Sequence, residues 1–347
     1  MSDSMKLAIL DDYTSIAPTA FSHLSDITTD TFPETLDART TDGAAALVKR
    51  LKPYPIISTM RERTIFSREI LSQLPNLKLL LTTGPRNASI DVAACKELRI
   101  TLCGTGPKPN AVKGYDATNE QTWALILGLA KGVARDDYTV KHEDGWQNGL
   151  GMGLAGKTLG LLGLGKLGAQ AAFTGKLGFG MNVVAWSASL TQEKADQIAE
   201  ERGLIKGSFK VMGSKKELFE QADVLSVHYV LSERSRGIVG KEELGAMKKS
   251  AIVVNTSRGP LIDEDALVGL LEQGAIRGAA LDVFETEPLP KDSPWRRKDW
   301  GTNGKSQVLI SPHMGYAEEE TMRSWYVQQA ENVERWTKGE EVKVKIG

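Results

Sequence analysis

The stretch GKTLGLLGLGKLGAQ, residues 156–170, decides how the rest of the chain is read. Gly163, Gly165 and Gly168 stand in the order G-x-G-x-x-G, directly after the apolar run Thr158–Leu162 and directly before a pattern of helical spacing. The spacing has a physical reason at each position. Gly163 can take a tight strand-to-helix turn, Gly165 lets the main chain approach a pyrophosphate without a Cβ, and Gly168 permits close packing of helix on strand. The N–H groups freed at the start of the helix, together with its dipole, then favour a phosphate charge. Lys166 and Leu167 lie inside this loop and join the three glycines as candidate cofactor contacts. Without its flanking elements such a motif is an ordinary glycine-rich turn; between a strand and a helix it predicts a dinucleotide site.

Working outward, short apolar runs alternate with helix-like stretches in both directions. Before the motif, residues 6–10, 55–59, 77–82 and 100–103 read as strands, and 43–51, 67–74 and 90–98 carry apolar residues at helical spacing. After it, strands are expected at Thr158–Leu162, Asn182–Trp186, Val224–Val227, Ile252–Asn255, Gly278–Leu281 and 308–310, with helical stretches between. Such alternation predicts βαβ units and parallel sheets, and six strands in the second series fit a doubly wound dinucleotide fold. Residues 108–114 hold Pro109, Asn110 and Gly114 and are followed by one long helical pattern, 117–134. An acidic amphipathic stretch, 317–338, closes the chain. The expected organisation is an α/β protein of two doubly wound parallel-sheet domains. A Rossmann domain, 115–314, is inserted in a substrate domain, 1–114 with 315–347. No internal repeat and no low-complexity tract is seen.

Composition narrows the partners. Lys plus Arg number 43 against 44 Asp plus Glu, a formal charge of -1 over 347 residues, and the charges are interspersed. A nucleic-acid binder shows a basic excess or stripe, and a membrane-surface protein a basic amphipathic segment, so neither partner is expected. The longest apolar stretch, 123–130, is far short of the 18 or so residues needed to span a bilayer. The polar start MSDSMKLAILDDY lacks the regions of a secretory signal, and a cytoplasmic setting is the default. Cys95 and Cys103 are read as reduced core residues, and no Cys or His pair has metal-ligand spacing. The length suits about two domains.

Three segments after the glycine motif carry candidate chemistry: VNTSRGPLIDEDAL with Arg258, AALDVFETEPLP with Asp282 and Glu287, and LISPHMGYAEEET with His313. Each polar residue follows an expected strand, and in an open α/β sheet ligands bind outside the carboxyl ends of the strands. Reduction of a 2-keto acid needs a cation for the carboxylate and a proton donor for the carbonyl oxygen. The planar fork of Arg258 suits the first task. His313 suits the second, with Glu287 able to hold it protonated. Taken singly, an Arg after a strand or a Glu before a Pro is ordinary; the ordered set is not. The strand 182–186 should end in an acid that binds the adenine-ribose hydroxyls of NAD, yet residue 187 is Ser. Serine removes the repulsion of a 2′-phosphate, so NADP(H) is favoured over NAD(H), although the nearest cation is Lys194 rather than an Arg.

The segments GLGKLG, NTSRGPLID, ALDVFETEPLP and SPHMGYA resemble the cofactor-loop, arginine, glutamate and histidine motifs of the D-isomer-specific 2-hydroxyacid dehydrogenase family, glyoxylate/hydroxypyruvate reductase-like members in particular. The resemblance extends from about residue 77 to 320. It implies that Arg258 binds and polarises a keto acid, that Glu287 orients His313 and raises its pKa, and that His313 protonates the oxygen. Asp282 matches the family's residue beside the nicotinamide carboxamide. Thr118 matches a position near the nicotinamide, and Asn255, Thr256 and Ser257 line the strand end facing it. The resemblance further implies hydride transfer between NAD(P)H and the C2 carbonyl of a small 2-keto acid, closure of a cleft between the domains, and a homodimer in which residues 117–134 and 319–336 pack across the two-fold interface.

Two departures bear on the substrate. The loop TTGPRNASID, residues 82–91, should offer backbone N–H groups to a carboxylate, but Pro85 has none. Arg86 adds a cation, and Arg86 and Asn87 are candidate substrate contacts. Where the family commonly has His-x-Pro, this chain has His228, Tyr229 and Val230, which is expected to loosen a turn beside the cofactor. His23, His142 and His228 are read as structural or surface residues, His228 being the first candidate for an exception because it ends a strand near the cofactor loop. The rival readings are a phosphoglycerate-type or formate-type dehydrogenase and a dinucleotide-sensing corepressor-like binding protein. The first is expected to need a regulatory domain for which the stretch after His313 is too short. Glu287 speaks against the formate-type enzyme, whose chemistry needs no acid–base histidine pair.

Overall fold

The computed structural model describes residues 5–112 and 116–347. The chain divides into two compact units, one of Met1–Ala111 with Glu318–Gly347 and one of Val112–Ala317. The junction expected at residues 114 and 115 lies outside the described residues.

In the first unit, strands β1 (Met5–Leu10), β2 (Ile27–Phe32), β3 (Ile56–Thr59), β4 (Leu79–Thr82) and β5 (Thr101–Cys103) form one sheet in the order β2-β1-β3-β4-β5. Every pairing is parallel. This is the flavodoxin-like order. β3 and β4 are buried along their whole length, as strands covered by helices on both faces must be. The sequence reading lacked β2. Its residues, ITTDTF, form a half-buried edge strand, so they carry no apolar run for a pattern to detect. The helix Glu319–Thr337 packs its Met322, Trp325, Tyr326, Ala330 and Val333 into the same unit.

The second unit contains β6 (Thr158–Leu162), β7 (Asn182–Trp186), β8 (Phe209–Val211), β9 (Val224–Val227), β10 (Ile252–Asn255), β11 (Gly278–Leu281) and β12 (Gln307–Ile310). Their order is β12-β11-β10-β9-β6-β7-β8, all parallel. Seven strands replace the expected six. The addition is β8, a three-residue edge strand with one buried side chain. Alternate residues of the inner strands feed two cores: Leu159, Leu161, Val183 and Val254 on one face, Leu162, Val184, Leu225 and Val253 on the other. The sheet runs outward in both directions from β6 and β9, and the glycine loop leaves β6 at that switch point, where ligands bind in such folds. The long helix expected over 117–134 is two helices, Ala117–Lys131 and Val133–His142. Gly132 separates them with φ 73, a left-handed cap whose N–H donates to the Gly128 carbonyl.

Candidate active site

The glycine loop has the form its residues dictate. Gly163 takes φ 100, and a Cβ there would stand 2.5 Å from the His228 carbonyl oxygen. A Cβ on Gly168 would overlap the Gly163 carbonyl, so a side chain at 163 would push the loop off the main chain at 228 and one at 168 would push the helix off the loop. Gly165 is different: it caps the helix Lys166–Phe179, and nothing lies within 4 Å of where its Cβ would be. Open space before a helix N-terminus, bounded by two obligatory glycines, fits a dinucleotide pyrophosphate. Lys166 is 70% exposed, and its Nζ lies 3.0 Å from Asp116 Oδ2. Leu167 is half-buried. At the end of β7, Ser187 is half-buried, and Lys194, in the first turn of the helix Gln192–Glu200, reaches back with its Nζ donating to the Ser189 carbonyl at 3.0 Å.

Arg258, Asp282 and His313 follow β10, β11 and β12, three adjacent strands, so the sheet order alone brings their loops to one edge. The turn carrying Arg258 is pinned from inside: Asn255 Nδ2 donates to the Arg258 carbonyl at 2.9 Å, its Oδ1 accepts from Ser257 N at 3.0 Å, and Ser257 Oγ donates to the Val227 carbonyl at 2.8 Å. Arg258 is half-buried, with Nη1 donating to the Ser257 carbonyl. Thr256 is buried and shares a 2.7 Å hydrogen bond with Thr122. Thr118 hangs its hydroxyl on the Gly315 carbonyl at 3.1 Å.

His313 and Glu287 form a close pair at this edge, with Nδ1 and Oε2 2.5 Å apart. The other carboxylate oxygen of Glu287 accepts from Phe284 N at 2.9 Å, so the acid is held at both ends. His313 itself has φ 56, a left-handed conformation that non-glycine residues adopt only at a cost. Asp282 supplies the compensation. It is fully buried, its carbonyl accepts from His313 N at 2.7 Å, and its carboxylate accepts from Ser311 Oγ, Met314 N and Gly315 N at 2.5, 2.8 and 2.9 Å. The four bonds clamp the loop in the shape that points His313 at Glu287.

Three side chains escaped the sequence reading. Ser311 bridges Asp282 to Gln121. Asp116 caps the helix Ala117–Lys131 while holding Lys166. In the first unit, the Arg61 guanidinium lies over Gly84, which has φ 82, with Glu62 3.4 Å from Nε. Only the strand-end position of Arg61 signals it. In the same unit Asn87 is buried, with Nδ2 donating to the Arg61 carbonyl and to Thr82 Oγ1 and Oδ1 accepting from Ser89 N. Its amide thus holds the loop together, while Arg86 beside it is exposed. Gly84 N donates to Thr105 Oγ1, so this loop has committed that donor as well as lacking one at Pro85. The turn after His228 is bridged by Ser235, whose Oγ accepts from Ser232 N and donates to the Val230 carbonyl, both at 2.7 Å. Serine hydrogen bonds thus tie the turn that has no proline.

A family profile described as the D-isomer specific 2-hydroxyacid dehydrogenase, NAD binding domain, matches residues 123–315. The chain belongs to the D-isomer-specific 2-hydroxyacid dehydrogenase family. A glyoxylate reductase of Aeropyrum pernix is 34% identical over 90% of this chain and 92% of its own length. A D-3-phosphoglycerate dehydrogenase of Methanocaldococcus jannaschii is 32% identical over 85% of this chain but only 52% of its own length. Among solved structures, a phosphoglycerate oxidoreductase from Vibrio cholerae O395 superposes with TM-score 0.81 and 34% identity, covering 96% of this chain and 99% of that one. As a family member the chain is an oxidoreductase of 2-hydroxy acids with a nicotinamide dinucleotide site. No described helix is long and apolar enough to cross a membrane, and no cluster of metal-ligating side chains occurs among the described residues.

Proposed function

We propose that this dehydrogenase reduces a small 2-keto acid of the glyoxylate or hydroxypyruvate kind to the D-2-hydroxy acid, reversibly, with NADP(H) favoured over NAD(H). The observation that carries the proposal is the 2.5 Å pair of His313 and Glu287 at the strand edge that also bears Arg258. The bound dinucleotide supplies the hydride. His313 donates a proton from Nε2 to the carbonyl oxygen of the substrate, while Glu287 accepts a hydrogen bond from Nδ1–H, which stays on the ring, and balances the charge of the imidazolium before the transfer. Arg258 holds the substrate carboxylate, and Arg86 is a second candidate for it in the first unit. Asn87 acts by positioning that loop. Gly163, Gly165, Lys166, Leu167 and Gly168 receive the pyrophosphate, and Thr118, Thr256 and Asp282 shape the nicotinamide end.

The preference for NADP(H) rests on Ser187, which brings no negative charge to the end of β7, and on Lys194, whose Nζ reaches back to the Ser189 carbonyl in the turn that follows. A cytoplasmic setting is supported by Cys95 and Cys103, both free and buried, as is usual in a reducing compartment.

A homodimer is part of the proposal, with the segments 117–134 and 319–336 as the expected interface and the exposed apolar side chains from Val133 onward extending it. The apolar faces of Ala117–Lys131 and Glu319–Thr337 are buried in their own units. Exposed apolar side chains gather over 133–150, at Val133, Tyr138, Val140, Trp146 and Leu150, the last two 76% and 88% exposed. Sedimentation at micromolar concentration checks this, and a monomer would contradict it.

The deciding experiment is a panel of 2-keto acids assayed with NADPH and NADH. Turnover of glyoxylate or hydroxypyruvate, fastest with NADPH, is expected. Cofactor binding with no turnover of any 2-keto acid would favour the corepressor-like reading, and turnover confined to phosphohydroxypyruvate the phosphoglycerate-type one.

A further inference from the structure

Asp11 follows β1 directly in the first unit, at the point where that sheet runs outward from β1 and β3. Ligands bind at such points in open α/β sheets. The residue is 1% exposed and takes φ 61, a left-handed conformation that costs a non-glycine residue energy. Its N–H donates to the Phe32 carbonyl at 2.9 Å, and its carboxylate accepts from two hydroxyls, Thr35 Oγ1 at 2.5 Å and Thr64 Oγ1 at 2.7 Å. One buried acid thus ties together the loops after β1, β2 and β3. Burial raises its pKa, with the two hydroxyl bonds and the charges of Arg63 and Arg50 opposing the rise.

The loop after β3, residues 61–64, is laced in turn to the loop 82–91. Arg61 N donates to Thr83 Oγ1 at 3.0 Å, Asn87 Nδ2 donates to the Arg61 carbonyl, and Ser89 Oγ donates to the Glu62 carbonyl at 3.2 Å. Arg61 has φ 44, and its side chain, 15% exposed, keeps the guanidinium over Gly84. Loop 82–91 is short of main-chain donors, since Gly84 N is committed to Thr105 and Pro85 has none. A carboxylate there has to be met by side chains, and the loops decide where those side chains stand. We propose that Asp11 is a positioning residue for the substrate: through Thr64 it fixes the loop 61–64, and with it the place of Arg61 against the loop 82–91. The chemistry assigned to His313, Glu287 and Arg258 does not use this residue.

The inference rests on the keto-acid reading, and steady-state reduction of glyoxylate by the full chain at saturating NADPH, with KM and kcat determined separately, tests it. Each threonine hydroxyl can donate or accept, so Asp11→Asn keeps both bonds, Asp11→Ala loses both, and Thr64→Val loses the one to the loop 61–64. Asn is expected to hold the KM for glyoxylate within about threefold of native, and Ala and Val to raise it about tenfold or more, with kcat within about threefold in all three. A native KM in Thr64→Val, or an Asn variant as impaired as Ala, overturns the role. So does a loss of kcat with KM unmoved, the mark of a smaller folded fraction. Should Asp11→Ala not fold, Thr64→Ser, which keeps the hydroxyl, is compared with Thr64→Val: Ser should match the native KM, and equal KM in the two overturns the proposal. Absence of turnover by the native chain with any 2-keto acid would instead overturn the keto-acid reading itself.

Discussion

Glu287 grips His313 with one carboxylate oxygen, 2.5 Å from Nδ1, and the main chain with the other, 2.9 Å from Phe284 N. An amide has an acceptor at one end only. In Glu287→Gln, either the Phe284 N–H or His313 Nδ1 therefore loses its acceptor. The expected outcome is a fall in kcat of about tenfold to a thousandfold, because the histidine loses its orientation and the partner of its charged form, with cofactor Kd unchanged. A stopped-flow or steady-state comparison at saturating cofactor checks it.

Asp282 holds the loop that lets His313 keep φ 56. Its carboxylate takes two backbone N–H groups and one hydroxyl, and in Asp282→Asn a donor would face at least one of these donors. The expected cost is about 1–3 kcal/mol of stability, read from chemical denaturation, together with a lower kcat.

Ser187→Asp adds a charge where a 2′-phosphate would lie. The NADPH KM should rise by about tenfold or more relative to that of NADH, a difference of about 1.4 kcal/mol. An unchanged ratio of the two constants would remove Ser187 from cofactor selection.

His228 gives a pH dependence of stability whose sign follows from its burial. The folded group titrates near 4 and the unfolded one near its ordinary 6.5, so between these values the unfolded chain binds the extra proton. The stabilising contribution is present above about 6.5 and is lost as pH falls towards 4. Thermal denaturation of the native chain should show a drop across this window that is shallower in His228→Asn; identical slopes would contradict the assignment.

The parts legible in the sequence were those whose physics is local. The glycine loop announces itself because turn, close approach and packing each demand glycine at a set spacing, and the inner strands because two buried faces leave an unbroken apolar run. β2 and β8 escaped because an edge strand needs little apolar surface, and the break at Gly132 because a helical pattern persists on both sides of it. The duties of Asn87 and Ser311 depend on partners 26 and 29 residues away, which only the fold brings near. Arg258, Asp282 and His313 were readable as a set because adjacent parallel strands end at one edge, so strand order converts sequence order into proximity.

The most direct test is the rate of NADPH oxidation by glyoxylate and by hydroxypyruvate, measured for the native chain and for His313→Ala across pH. Reduction consumes the proton that His313 donates, so the native rate should fall as pH rises, and oxidation of the D-2-hydroxy acid should show the opposite trend. The variant should lose about two to four orders of magnitude in kcat. Near-native turnover by His313→Ala would contradict the account.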